Sequence, residues 1–164
     1  MDHIYLDHAA TTPVDPAVVE AMLPVYREIF GNPSSIHYFG REARKLIEDA
    51  REVIAAEIGA TPKEIIFTSG GTESDNAALI GAAHARQALG RHIITTKIEH
   101  HAVLHTCEHL EKEGFDVTYL DVDQKGRISL DAFKKALRPD TILFSIMYGN
   151  NEVGTLQPIM EIAS

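Results

Sequence analysis

Short apolar runs alternate with amphipathic helical stretches along this chain, and that alternation restricts its fold more than any other feature. Residues 65–68, 92–96, 115–122 and 141–147 read as strands. Helical patterns cover about residues 39–58, 73–89, 101–113 and 130–137. Interleaving of this kind gives an α/β architecture: a mostly parallel sheet with helices on both faces and right-handed crossovers. The 141–147 run is nearly continuously apolar, as a doubly covered parallel strand should be. In the longest helix Ala43, Leu46, Ile47, Ala50, Val53, Ile54 and Ile58 share one face, and Gly59 ends it. Val103, Leu104, Cys107 and Leu110 form the inward face of helix 101–113, with Gly114 as its stop. Phe115, Val117 and Tyr119 point to one side of the following strand. Upstream, Asp15-Pro16 reads as an N-cap with Pro at N1. The apolar stripe Val18, Val19, Met22, Leu23, Tyr26 follows it, with Pro24 inside the helix.

In open α/β sheets, ligands bind outside the carboxyl ends of the strands. Three polar clusters fall there. The first is Ser69-Gly70-Gly71-Thr72, between an apolar run and a helix start. Its glycines permit close backbone approach or a positive φ, and helix N–H groups with nearby hydroxyls make a phosphate cradle. The others are Glu99-His100-His101 and Gly149-Asn150-Asn151-Glu152. One rim thus carries a cradle, an imidazole and a carboxamide. Composition narrows the rest. A length of 164 residues gives one domain as the default. The net charge of −9, with scattered cations, argues against a nucleic-acid or anionic-membrane surface. No run reaches membrane-spanning length, and the start of the chain has no signal-peptide pattern. With one cysteine, a cytoplasmic location is expected. Nine histidines form no metal-ligand spacing, so no metal is expected, and His105/His109 read as a solvated helix face.

Five ordered motifs carry a resemblance. They are Tyr5-Leu6-Asp7-His8-Ala9-Ala10-Thr11-Thr12-Pro13, Gly31-Asn32-Pro33-Ser34-Ser35-Ile36-His37, Phe67-Thr68-Ser69-Gly70-Gly71-Thr72-Glu73-Ser74, Glu99-His100-His101-Ala102-Val103 and Asn150-Asn151-Glu152-Val153-Gly154. Together they resemble the cysteine desulfurases of the class V aminotransferase group, pyridoxal-phosphate enzymes of fold type I. The resemblance implies a transferase that takes sulfur from L-cysteine, leaving L-alanine and an enzyme persulfide for iron–sulfur cluster assembly or tRNA thiolation. It implies that Gly71 and Thr72 contact the cofactor phosphate and that Asn151 bonds its ring hydroxyl. His100 would stack on the ring and act as an acid–base, work that imidazoles suit near neutral pH. It implies a homodimer and a sulfur-acceptor or scaffold partner. It also implies that residues 1–14 join a small domain and 15–164 begin the large one. The Asn32 loop and His37 are expected to approach the site across the dimer interface.

The chain also departs from that pattern. None of its seven lysines lies in the Ser-x-His-Lys segment that supplies the family's Schiff base. The Asp that pairs with the pyridinium nitrogen, its neighbouring Gln and the sulfur-accepting loop cysteine have no counterpart here. Lys97 reads as a strand-end charge, and Cys107 as a packed, unreactive thiol. The chain is therefore expected to be an N-terminal fragment, inactive alone. A selenocysteine lyase or other class V enzyme, or a non-catalytic truncated domain, are the alternative readings.

Overall fold

A computed structural model describes residues 3–163, which fall into two compact units, one ending at Phe67 and one beginning at Thr68. The first unit holds α1 (Pro16–Glu28), α2 (Tyr38–Glu57) and a single 3-10 turn (Pro62–Glu64). Asp15 caps α1 as its sequence predicts: its Oδ1 accepts the Ala17 N–H at 2.8 Å. His37 caps α2 through Nδ1, and the Asn32 Oδ1 closes its own turn on the Ser34 N–H at 2.9 Å. Gly59, at φ +68°, follows α2 in the left-handed region, where a side chain would be strained. The apolar stripes of both helices lie largely open: Val53 is 62% and Ile58 68% exposed, and no residue of α1 is buried.

The second unit runs α3 (Gly71–Arg86), β1 (His92–Thr96), α4 (His101–Lys112), β2 (Asp116–Leu120), α5 (Leu130–Ala136), β3 (Thr141–Phe144) and α6 (Ile159–Ala163). Its three strands are parallel in the order β2-β1-β3. All five residues of the central β1 are buried. Strand alternation sends Ile93 and Ile94 to opposite faces. Ile94 packs with Leu120, Phe133 and Ile162 on the side of α5 and α6. Ile93 packs with Ala83, Leu110 and Phe115 on the side of α3 and α4, where Leu79, Val103 and Cys107 continue the core. Helices therefore cover both faces, as expected.

Two strand expectations are corrected. Residues 65–68 lie in no strand of the sheet, although Ile65 has extended dihedrals. An apolar run becomes a strand only where a neighbour accepts its ladder, and among the described residues none pairs with it. The 141–147 run is regular only to Phe144, and that residue is 42% exposed. β3 is an edge strand here, so the double cover that a continuous apolar run predicts is incomplete.

His92 was not singled out by its sequence, yet it ties the sheet together. Fully buried on β1, it bonds Thr141 of β3 through Nδ1 (2.7 Å) and Thr118 of β2 through Nε2 (2.8 Å). Both ring nitrogens are satisfied, which is what permits a buried imidazole.

Candidate functional site

The site is built at the carboxyl ends of β1 and β3 and at the start of α3. There is no side-chain cap at Gly70, so the first-turn N–H groups of α3 lack an intrahelical partner. A Cβ at Gly70 or Gly71 would meet nothing within 4 Å, so an anionic group has room to approach this backbone. Neither glycine takes a positive φ of the left-handed kind: Gly70, at φ 164°, is simply extended. Close approach, not a left-handed turn, is what these glycines provide. Glu73 turns back onto Ser69, taking its N–H and hydroxyl at 2.6 Å each, and these bonds hold its carboxyl below the usual range.

α3 and α4 are joined by Thr106, whose hydroxyl meets the Asn76 Oδ1 and also donates to the Ala102 carbonyl at 2.8 Å. This join places Thr72 of α3 and His100 on the wall of one cavity of about 420 Å3, together with Asn76, His101, His105 and His109. A second cavity, of about 690 Å3, is lined by His100, His101, Lys97, Glu99, Lys125 and Asn151 among others. His100 thus borders both the cavity that Thr72 lines and the cavity that Asn151 lines. Gly71, the first residue of α3, lines neither.

His100 is the N-cap of α4. Its Nδ1 accepts the Ala102 N–H at 3.1 Å, which fixes the ring and its tautomer, with the proton on Nε2 as a donor. His101 borders the same two cavities and lies beside His105, with ring centroids 5.2 Å apart. His105 and His109 are exposed, as expected, and His109 Nε2 meets Glu113 at 3.2 Å. Among the described residues no group of His, Cys, Asp and Glu could hold a metal ion.

Asn151 is exposed, and its Nδ2 donates to Glu152 Oε1 at 3.2 Å. Its neighbour Asn150 is buried and shapes the loop: Oδ1 accepts the N–H groups of Glu152 and Val153, each at 2.9 Å. Glu99 is buried too, and burial pushes its carboxyl above the usual range. Lys97 Nζ lies 2.6 Å from Asp121 Oδ1, in keeping with a strand-end charge. Cys107 is fully buried, and burial, with Glu111 next in effect, pushes its thiol up to about 11. Sequence reasoning missed Lys125 and Gln124, which reach the larger cavity from a turn with no strand-end signal.

A parallel sheet with helices on both faces defines an α/β domain, and the chain belongs to the class-V aminotransferase family, whose model matches residues 4–164. Among its relatives, one from Bacillus subtilis (strain 168), provisionally named cysteine desulfurase IscS 1, is 69% identical over 162 residues; the match covers 99% of this chain and 43% of that protein. Cysteine desulfurase IscS of Dictyoglomus turgidum (strain DSM 6724 / Z-1310) is 61% identical, with 98% of this chain and 41% of that protein covered. A solved NifS-like protein superposes with a TM-score of 0.92 at 47% identity, covering 98% of this chain and 44% of its own. A solved structure described as SspA in complex with cysteine gives 0.88 at 47% identity, covering 96% and 46%. This chain spans about two-fifths of the length of the curated relatives it matches.

Proposed function

We propose that this chain is part of a pyridoxal-phosphate-dependent cysteine desulfurase, taking sulfur from L-cysteine, releasing L-alanine and leaving a persulfide on an enzyme cysteine. The observation that carries this reading is the position of His100 on the shared wall of the Thr72 and Asn151 cavities. The names of the relatives support the reaction, and the solved relative in complex with cysteine supports the substrate.

The donor set fits the cofactor. The uncapped start of α3, with open space at Gly70 and Gly71, suits a phosphate, and the Thr72 hydroxyl adds a donor. The His100 ring would lie against the pyridine ring, and the Asn151 carboxamide would meet its hydroxyl. Bound there, pyridoxal phosphate supplies an electron sink for the substrate's α-carbon. With Nδ1 accepting from the Ala102 N–H, His100 would hold its proton at Nε2 and present it there as a donor; to act as a base at Nε2, the ring would have to release the Ala102 N–H. The lysine for the Schiff base and the cysteine for the sulfur are assigned to the parent protein's remaining length. The expected setting is a cytoplasmic homodimer that passes sulfur to an acceptor or scaffold protein, for iron–sulfur assembly or tRNA thiolation.

The test uses the full-length parent loaded with pyridoxal phosphate, with alanine measured after cysteine is added. His100→Ala should lose at least about tenfold in alanine formation, the low end of general acid–base contributions. His105→Ala, which alters only the smaller cavity, should lose little. A cofactor-loaded parent that makes no alanine from cysteine would overturn the reading.

A further inference from the structure

Beyond Ser145, whose N–H donates to the Ile94 carbonyl at 2.9 Å, the ladder between β1 and β3 ends. The two rim loops that follow, 97–100 and 146–153, are joined by no backbone–backbone hydrogen bond among the described residues. Two buried side chains link them instead, one from each loop. Glu99 Oε1 accepts the Thr96 hydroxyl at 2.8 Å from the end of β1, where its own loop begins, and the Met147 N–H at 2.9 Å from the other loop. Asn150 mirrors this. Its Oδ1 holds the Glu152 and Val153 N–H groups of its own loop, while Nδ2 crosses to donate to the Ile98 carbonyl at 3.2 Å. Asn150 thus folds its own loop and Glu99 ties its loop back to the end of β1, and each grips the opposite loop with a further bond. Each also stands one position before a proposed cofactor residue, Glu99 before His100 and Asn150 before Asn151.

We propose that Glu99 and Asn150 are a reciprocal pair of positioning residues that fix the spacing of His100 and Asn151 across the larger cavity. The proposal deepens the cofactor reading above and rests on it for what the spacing serves. The physical need is specific. Two loops leaving the ends of parallel strands diverge unless something replaces the ladder, and groups that grip a ligand must be held by their own supports. A buried carboxylate or carboxamide is costly unless satisfied, so each bond lost in one loop weakens the case for burial in the other.

The experiment reads amide hydrogen exchange in the full-length parent, residue by residue, without cofactor. Glu99→Ala removes bonds to Thr96 and Met147 only. If the lace is reciprocal, exchange should rise by about tenfold at Glu152 and Val153, whose N–H groups Glu99 does not touch. Glu99→Gln keeps an oxygen that can accept both bonds, and should restore protection to within about twofold of the parent. Asn150→Asp keeps the acceptor for Glu152 and Val153 and loses Nδ2, which donates across to the Ile98 carbonyl and, within its own loop, to Met147 Sδ. It should speed exchange at Ala102, whose N–H is held by the His100 ring. Increases confined to Met147 in Glu99→Ala, with Ala102 unmoved in Asn150→Asp, overturn the proposal. Thr96→Val, which removes one hydroxyl at similar volume, serves if Glu99→Ala does not fold; unchanged protection at both Met147 and Val153 there overturns it equally.

A pyridoxal-phosphate absorbance titration of the same substitutions in the full-length parent separates the two readings. Exchange that spreads with weakened binding, both restored in Glu99→Gln, supports lace and cofactor site together. Exchange that spreads with binding unchanged supports the lace and removes His100 and Asn151 from the cofactor site.

Discussion

Cys107 shows how much of a residue's surroundings its spacing along the chain can carry. Its spacing from Val103 and Leu110 puts it on the inward face of a helix, and there it lies, fully buried in the core that α3 and α4 share. Its raised thiol pKa leaves almost no thiolate near neutral pH, so it is a poor nucleophile. Cys107→Ala should therefore cost about 1 kcal/mol in urea unfolding, the order expected for a small buried group. In the full-length parent it should leave persulfide formation intact. Loss of persulfide in a stably folded variant would make this thiol the acceptor. Polar residues were less legible. His100 and Asn151 were visible because they stand in ordered motifs at strand ends. Glu99 and Asn150 stand in the same motifs, but their roles depend on which backbone group lies opposite, and spacing along one chain does not contain that. His92 was hidden for the same reason: a histidine in a strand is legible as strand, and only the register with Thr118 and Thr141 reveals its two partners.

At the scale of elements, helices were more legible than strands. A helix makes its own hydrogen bonds, so its periodicity, cap and stop are all local signals. Thus α2 and α4 run within a residue of their expected bounds. A strand borrows its bonds, and residues 65–68 carry the composition of one without a partner. The stripes of α1 and α2 are likewise periodic but, Ala43 apart, not buried, because periodicity marks which side would be covered, not what covers it. The join between α3 and α4 is a testable element-level feature. The Thr106 hydroxyl spans Asn76 and Ala102, so Asn76→Ala and Thr106→Val should each lower stability by about 1 kcal/mol, the usual net worth of a hydrogen bond. Measured by urea unfolding, the double variant should lose less than the sum, because both changes break one shared bond. Strict additivity would mean the two side chains act separately.

At the scale of the whole molecule, two buried groups in the second unit pull stability in opposite directions with pH. Burial, with the Arg138 charge next in effect, holds the His92 imidazole below its ordinary value of 6.5. Between that depressed value and about 6.5 the unfolded chain binds the proton and the folded chain does not. The stability His92 lends is therefore full above about 6.5 and drains as pH falls toward its folded value. Glu99 runs the other way. Burial is the leading cause that raises it above its ordinary 4.5, while the Met147 N–H and Thr96 hydroxyl limit the rise. Here the folded chain binds the proton more tightly, so its contribution is full below about 4.5 and declines as pH climbs to its raised folded value. Neutral replacements isolate each slope. Measured by urea unfolding across this range, the stability of the parent relative to His92→Gln should increase with pH up to about 6.5 and then level. Relative to Glu99→Gln it should decrease from about pH 4.5 upward and then level. The pH-independent cost of lost hydrogen bonds offsets each curve without changing its slope. If the His92→Gln comparison is flat below about pH 6.5, the ring is protonated in the folded sheet, and its bonds to Thr118 and Thr141 do not keep it neutral.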